Sequence, residues 1–262
     1  MKKTDTLKEI VLKKKERILL AKQNLPEEEL KAKVQGLPPA RPFIEAINKP
    51  RQISLIAEIK RQSPSAGVIR EDFDPQKIAG IYQEAGVQAI SVLTEEDYFA
   101  GNISYINEVK KIAQAPVLRK DFILEAYQVY ESRFFGADAI LLIADLLTRE
   151  KLCELMQLAG ELGLDCLVEA HTEKELKKIL NLKVPLIGVN NRDLHTLEVD
   201  FKITEKLYPL IPKDKVVVVE SGIKSSQDVL FLKILGVSAV LVGETIMRAG
   251  DLRRKIEEIM GW

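Results

Sequence analysis

The chain has 262 residues, of which 46% are hydrophobic and 30% are charged, enough to bury the core of one large domain. The 39 basic residues equal the 39 acidic ones, and this balance excludes a general attraction to nucleic acid or to an anionic membrane. No apolar run reaches the roughly 20 residues that a membrane span needs, so we expect no membrane partner.

The first fifty residues precede the first predicted strand. Their apolar stripe at helical spacing comprises Leu7, Ile10, Val11, Lys14 and Ile18. Pro26 or Pro38 would interrupt a longer helix. The pattern predicts a helical N-terminal extension over about residues 1–50. Such an extension can cap the bottom of the following domain or cover its catalytic face, and the periodicity does not choose between them.

From about Leu55 onward, short apolar runs rich in β-branched residues alternate with amphipathic segments. The predicted strands are Ser54–Lys60, Ala89–Thr94, Val117–Lys120, Ala139–Ala144, Cys166–Ala170, Leu186–Asn190, Val216–Glu220 and Ala239–Gly243. The predicted helices are Pro75–Ala85, Ile103–Ala113, Glu125–Phe135, Thr148–Leu162, Thr172–Leu180, Phe201–Tyr208, Ser225–Leu235 and Leu252–Met260. Nearly continuous apolar strands that alternate with helices indicate a parallel sheet buried on both faces.

A weak repeat marks three of these strands, because Gly86, Gly136 and Gly236 each end a predicted helix three residues before the strand. Eight strand–helix units can form an open sheet or a closed barrel. The count favours the barrel, and no G-x-G-x-x-G turn follows the first strand to indicate a dinucleotide fold. We therefore predict an α/β protein of one domain, residues 1–262, in which a (β/α)8 TIM barrel over about residues 51–262 follows the helical extension.

Polar side chains stand at the ends of most predicted strands, where barrel enzymes carry their active sites. They are Glu58 and Lys60 on the first strand, Lys120 on the third, Glu169 on the fifth, Asn190 on the sixth, Glu220 on the seventh and Glu244 after the eighth. Glu58 and Lys60 point to the same side of an alternating strand, so an acid and a base share the barrel mouth. Each residue alone could be an ordinary solvated side chain, but their joint occurrence predicts a catalytic site.

The last two strand ends predict an anion cradle. Ser221 and Gly222 follow the seventh strand, while Gly243 and Glu244 follow the eighth, and each pair precedes a helix. In TIM barrels the loops after these strands are the usual phosphate site, since glycine lets backbone N–H groups approach the anion at a helix start. The alternative is a pair of tight turns that merely need glycine. A phosphate would be repelled by the Glu244 carboxylate, so we expect that side chain to point away.

Several segments match one known family in order. They are Ala57-Glu58-Ile59-Lys60-Arg61-Gln62-Ser63-Pro64-Ser65, Ser91-Val92-Leu93-Thr94-Glu95 with Tyr98-Phe99-Ala100-Gly101, Leu118-Arg119-Lys120-Asp121-Phe122-Ile123, Leu167-Val168-Glu169, Gly188-Val189-Asn190-Asn191-Arg192-Asp193-Leu194, Glu220-Ser221-Gly222-Ile223 and Val242-Gly243-Glu244. From about Leu55 to its end, the chain resembles the indole-3-glycerol phosphate synthases, lyases of tryptophan biosynthesis. The resemblance implies ring closure, decarboxylation and dehydration of 1-(2-carboxyphenylamino)-1-deoxyribulose 5-phosphate.

The resemblance also implies a role for each matching residue. Lys120 would be the general acid of ring closure, with a pKa lowered by neighbouring cations, and Glu169 would act beside it. Lys60, held by Glu58, would contact the substrate carboxylate or protonate the departing hydroxyl, and the sequence does not settle which lysine serves which step. Asn190 would hydrogen-bond the reacting oxygens, Arg192 and Ser63 would hold the carboxylate, and Glu220 would orient the cations. The substrate, chiefly its phosphate, would be bound by Ser221, Gly222, Gly243 and Glu244, and the aromatic ring would be enclosed by Phe99, Phe122 and Leu194.

No metal or organic cofactor is implied. His171 and His195 lie beyond strand ends without other ligands at metal-binding spacing, so we expect surface residues. Cys153 and Cys166 sit in apolar patterns and are expected in the core of a cytoplasmic protein. The sequence is silent on the oligomeric state, and the resemblance allows a monomer because many barrels of that family act alone. Two alternatives remain open: another phosphate-binding barrel enzyme, similar to phosphoribosylanthranilate isomerase, and a non-catalytic sugar-phosphate-binding barrel.

Overall fold

The computed structural model describes residues 5–262 and contains eight long strands. The strands are β1 Ser54–Ile59, β2 Ala89–Leu93, β3 Val117–Lys120, β4 Ala139–Ile143, β5 Asp165–Ala170, β6 Leu186–Asn190, β7 Val216–Glu220 and β8 Ala239–Val242. The helices are α1 Thr6–Asn24, α2 Glu27–Val34, α3 Phe43–Ile47, α4 Pro75–Glu84, α5 Ser104–Ile112, α6 Ala126–Phe134, α7 Arg149–Glu161, α8 Glu173–Leu180, α9 Lys202–Leu207, α10 Ser226–Leu235, α11 Glu244–Met247 and α12 Leu252–Met260. Every predicted strand and helix is present, with boundaries within two residues.

The eight strands close into a parallel barrel. Each strand pairs with the next along the chain, and β1 pairs with β2 on one side and with β8 on the other. The predicted (β/α)8 TIM barrel is therefore confirmed, together with a helical N-terminal extension. No helix within residues 5–262 is long and apolar enough to cross a membrane.

Side-chain alternation divides the core into two parts. Alternate strand residues such as Ile90, Ile140 and Val219 point outward and pack with the surrounding helices. The other set points inward and fills the barrel with side chains such as Leu118 and Leu167. Burying one such aliphatic side chain contributes about 1.5–3 kcal/mol, so this two-sided burial explains why the strands are nearly continuous apolar runs.

Local signals set the helix ends. Ser225 and Asp228 form a capping box at the start of α10, and Gly236 ends that helix with a left-handed backbone of φ 103°. Two short elements lack such a sequence signal. A hairpin of Gln62–Ser63 and Gly67–Val68 follows β1, and the four-residue helix α11 follows β8.

The N-terminal extension covers both ends of the barrel. Helix α1 lies at the C-terminal end of the strands, where Lys14 binds Asp121, the residue directly after β3. At the opposite end, the backbone N–H of Ile44 in α3 donates to Asp165, the first residue of β5. The two alternatives that periodicity left open are thus both realised, by different helices of the extension.

One prediction about the core was wrong. Cys166 is buried in the barrel wall, as expected, but Cys153 on α7 is exposed. The apolar residues of α7 that face the barrel are Leu152, Leu155 and Ala159, and position 153 lies on the other side of that helix.

Candidate active site

The polar strand-end residues continue the rows that fill the barrel. Two residues after an inward-facing apolar side chain, the strand again points inward, so Leu118 is followed by Lys120 and Leu167 by Glu169. In the same way Glu220 follows Val218. Period-two alternation therefore carries the polar side chains into the space above the apolar interior, at the C-terminal end of the barrel.

These residues surround one cavity of about 770 Å³. All of the predicted site residues except Ser63 line it, and Ser63 lines an adjoining recess of about 60 Å³. The structure thus brings the predicted site residues together, although their proposed roles stay predictions.

Lys120 is the centre of the charged cluster. Its Nζ is 3.0 Å from Oε2 of Glu169, and it also donates to Oε2 of Glu220. Burial alone would lower the pKa of Lys120, but the carboxylates of Glu169 and Glu220 outweigh it and hold the pKa above its ordinary value. The expectation of a lowered lysine pKa was wrong, because the groups closest to Lys120 are acids and not cations.

The two glutamates beside Lys120 differ in their acidity. Burial opposes the ionisation of Glu169, but Lys120 and His171 lower its pKa below the ordinary value. Burial raises the pKa of Glu220, and the nearby charge of Glu169 raises it further. Because the two carboxyls interact with each other and with Lys120, they titrate as a pair, in which the pKa of Glu169 is the lower one.

Lys60 and Glu58 form a second acid–base pair at the mouth. Nζ of Lys60 lies 2.7 Å from Oε2 of Glu58, as the same-side prediction requires. Gly243 packs against this pair, since a Cβ at that position would lie 2.1 Å from Oε2 of Glu58. Glycine is therefore required after β8 to leave room for the Glu58 side chain, in addition to letting backbone N–H groups approach an anion.

An apolar recess adjoins these charges. Phe99, Phe122 and Leu194 line it, and the ring centroids of Phe99 and Phe122 are 6.3 Å apart. Leu7 and Ile10 of α1 complete the wall. The apolar stripe of α1 predicted that these two residues are buried. It did not predict against which end of the barrel they pack.

A cationic edge borders the same recess. Nη1 of Arg192 donates to Oγ of Ser65 at 3.2 Å, and the backbone N–H of Arg192 donates to Oδ1 of Asn190 at 2.9 Å. Ser63 is buried, and its Oγ accepts a hydrogen bond from the N–H of Ala66. Arg192, Ser63 and Lys60 thus all line the recess that the two phenylalanines bound.

The far side of the cavity has the backbone of an anion site. Ser221 and Gly222 both have left-handed backbones, with φ 66° and 82°. Helix α11 begins at Glu244, and the first N–H groups of a helix have no partner within it. The Glu244 carboxylate accepts from Nε of Arg248 at 3.0 Å and lies 3.9 Å from Nη2 of Arg192. These arginines offset the charge that would repel an anion.

Sequence reasoning missed a buried network behind Lys120. Asp121 binds Lys14 of α1 at 2.8 Å and Arg119 of β3 at 3.0 Å, and it accepts from Thr94. Burial opposes the charge of Asp121, but Lys14 and Arg119 keep its pKa well below the ordinary value. The available signal was a lysine, Lys14, in an otherwise apolar stripe.

Only one of the two histidines lies on the surface. The side chain of His195 is 46% exposed, as predicted, whereas that of His171 is only 9% exposed and faces Glu169, so the surface prediction for His171 was wrong. Glu95, Glu96 and Asp97 form an acidic group after β2. Their partners are backbone N–H groups, Lys14 and Arg17 respectively, so ion pairs and hydrogen bonds account for all three.

Comparison with known proteins agrees with this arrangement. The family model described as indole-3-glycerol phosphate synthase matches residues 7–259. The chain belongs to this family. The indole-3-glycerol phosphate synthase of Acetivibrio thermocellus is 49% identical over 254 residues, which cover 96% of this chain and 98% of that protein. The synthase of Caldanaerobacter subterraneus subsp. tengcongensis is 48% identical over 260 residues, 97% of this chain and 99% of that one.

The solved structures confirm the fold alone. The 3-hexulose-6-phosphate synthase of Salmonella typhimurium superposes with a TM-score of 0.64 at 15% identity, and the match covers 80% of this chain and 97% of that one. The family match confirms the predicted enzyme class, a decarboxylating lyase of the indole-3-glycerol phosphate synthase family, and decides against an isomerase.

Proposed function

We propose that this chain converts 1-(2-carboxyphenylamino)-1-deoxyribulose 5-phosphate into indole-3-glycerol phosphate, carbon dioxide and water. The observation that carries this proposal is the cavity itself, in which Lys120 with two carboxylates faces an apolar recess bordered by Lys60 and Arg192. Both lysines can supply protons, and the recess suits an aromatic ring that bears a carboxylate. A non-catalytic barrel has no need of buried, paired acids and bases at successive strand ends.

In this proposal Lys120 is the general acid of ring closure. It protonates the oxygen of the ribulose carbonyl as the aromatic carbon attacks, and its raised pKa means that it carries the required proton at neutral pH. Glu169 is ionised beside it and stabilises positive charge on the anilino nitrogen or accepts a proton during dehydration. Glu220 holds Lys120 in place, and Asn190 hydrogen-bonds the reacting oxygens.

The substrate spans the cavity from the recess to the anion site. Arg192, Ser63 and Lys60 hold the carboxylate, and Phe99, Phe122 and Leu194 enclose the ring. The backbone of Ser221, Gly222, Gly243 and Glu244 binds the phosphate, and Ser221 also faces the reacting sugar. Lys60, positioned by Glu58, donates a proton to the departing hydroxyl.

Indole fluorescence tests the reaction directly. Purified protein is mixed with the carboxyphenylamino-deoxyribulose phosphate in the presence of a chelator, because we propose that no metal or organic cofactor takes part. A time-dependent rise in fluorescence supports the proposal and the absence of a metal requirement. A folded, monodisperse sample that gives no rise in either the presence or the absence of added divalent metal would contradict the proposal.

We further propose that the protein is a cytoplasmic monomer whose extension and barrel form one domain. The ion pairs between α1 and the loops after β2 and β3 support the single domain, since they tie the extension to the barrel. The balanced charge supports the absence of a nucleic-acid partner. Light scattering at the column outlet should give one species near 29.5 kDa, and a mass of twice that value would contradict the monomer.

A further inference from the structure

His171, whose side chain is only 9% exposed, has no part in the roles above. It directly follows β5, whose residue Glu169 binds Lys120. Its backbone N–H donates to Oε2 of Glu175 at 2.8 Å, and the Thr172 hydroxyl donates to Oε1 of the same carboxylate at 2.6 Å. This hydrogen-bonded turn fixes the start of α8, so the imidazole ring has a rigid support.

The imidazole stands between two carboxylates. Its Nε2 lies 3.4 Å from Oε1 of Glu169, and its Nδ1 lies 3.4 Å from Oε2 of Glu175. Neither Nε2 of His171 nor Oε1 of Glu169 has a hydrogen-bond partner within residues 5–262, and the two atoms face each other across this distance. Because an unpaired buried polar atom is destabilising, these two atoms gain most from each other when a proton lies between them.

The two oxygens of Glu169 thus face different bases. Oε2 binds Lys120, and Oε1 faces His171. We propose that His171 is a positioning residue for the synthase reaction: its protonated ring, held by Glu175, fixes the Glu169 carboxylate against Lys120. The inference rests on the proposed function, because only that function gives Glu169 a task in which its orientation matters.

The charges around His171 favour its protonated form. The acidic groups that act on it are Glu169 from β5, Glu175 from α8 and Glu220 from β7. Two of these acids, Glu169 and Glu220, also bind the cation Lys120. Burial opposes protonation, but Glu175 and Glu169 outweigh it and raise the pKa of His171 above 6.5. Each carboxylate that is removed should lower that pKa again.

Proton NMR of the imidazole rings tests, without any substrate, whether Glu169 and Glu175 raise the pKa of His171. The chain has two histidines, so the His195→Gln variant assigns both resonances. We expect His171 to titrate above 6.5 in the wild type and about one unit lower in Glu175→Gln or Glu169→Gln. The matched control is Glu173→Gln, which removes an exposed carboxylate of the same helix and should leave the titration unchanged. A His171 pKa at or below 6.5, or one that neither substitution lowers, would overturn the inference.

Steady-state kinetics of His171→Gln tests the positioning part. We expect kcat to fall roughly 10–100-fold with KM changed by less than about threefold, because the substrate contacts remain. The pH dependence of wild-type kcat should contain a step at the pKa that NMR gives for His171, and His171→Gln should lack it. The conservative His171→Asn, checked by circular dichroism, serves if the glutamine variant does not fold.

The outcomes separate this inference from the proposed function. Wild-type protein without synthase activity rejects the function, and with it the role of His171 in that reaction. The NMR titration then decides only whether His171 is protonated between Glu169 and Glu175. Active wild type together with a His171→Gln variant of unchanged kcat and pH profile rejects the positioning role and retains the function.

Discussion

Lys120 lies between carboxylates that come from two different strands, β5 and β7. These acids decide its protonation state, because their charges outweigh the desolvation that burial imposes. A lysine in this setting is a proton donor over the whole neutral range and is poorly suited to act first as a base. The carboxylates beside Lys120 therefore fix the direction in which its proton moves, from the lysine to the substrate.

Lys120→Ala should nearly abolish turnover, with kcat reduced about 10²–10⁴-fold, since no other group replaces its proton at that position. Glu169→Gln should be severely impaired as well. Single-turnover fluorescence measures both variants, and circular dichroism checks their fold. Lys177→Ala, an exposed lysine of α8, is the control and should keep normal activity. Wild-type rates in both site variants would contradict the assigned roles.

Gly243→Ala should reduce kcat at least about tenfold while the barrel stays folded, because the new Cβ would meet the Glu58 carboxylate and displace it from Lys60. Gly250→Ala is the matched control, since a Cβ there meets no atom within 4 Å. Activity assays and thermal melts of the two variants provide the comparison. Equal activity in both would show that Glu58 does not need its observed position.

At the scale of the element, helix α1 determines how the recess is closed. Its apolar residues Leu7 and Ile10 wall the recess, and Lys14 in the same stripe binds Asp121 and Glu96. Removing one partner of a buried ion pair leaves an uncompensated buried charge, which destabilises the protein more than replacing both partners by apolar residues does. The helix is therefore held to the catalytic end of the barrel by several ion pairs as well as by apolar packing.

Lys14→Met should lower the free energy of unfolding by about 3–5 kcal/mol, because Asp121 stays buried with one cation fewer. KM should rise as well, since α1 no longer closes the recess firmly. Urea unfolding and substrate titration measure the two effects. The neighbouring Lys13→Met removes only an exposed pair with Glu16, and its unfolding free energy should change by less than about 0.5 kcal/mol. Similar losses in both variants would contradict the anchoring role of Lys14.

At the scale of the whole molecule, an exposed histidine joins three separate segments. The ring of His195, after β6, lies 2.9 Å from Asp5 at the start of α1 and 2.9 Å from Asp145 after β4. Hydrogen bonds from Lys8 and His195 lower the pKa of Asp5 to about 2. Partial burial opposes protonation of His195, but the two aspartates raise its pKa above 6.5.

The wild type should therefore be more stable than His195→Gln only in a defined pH window. A raised histidine pKa gives stability that is complete below 6.5 and disappears as the pH rises through the folded-state value. The lowered pKa of Asp5 gives stability that is present above 3.8 and lost as the pH falls toward 2. The difference in melting temperature should thus be largest between about pH 4 and 6.5. A difference that grows above pH 8 would contradict this bridge.

The barrel and most of the residues around its cavity could be predicted from the amino-acid sequence alone. Strand and helix periods are local properties, so all eight strands and their helices could be predicted to within two residues. Strand ends of a barrel meet on one side, so the residues of the cavity could also be predicted from their positions. The family motifs then indicated the reaction class.

The charge states and the long-range contacts depend on the three-dimensional arrangement and could not be predicted from the sequence. The pKa of Lys120 depends on Glu169 and Glu220, which are 49 and 100 residues away in the chain, and no spacing rule measures their distance in space. For the same reason His171 was expected on the surface, and the sequence could not show which end of the barrel α1 covers. Periodicity records which face of an element is buried, whereas electrostatic energy depends on which distant groups meet that face.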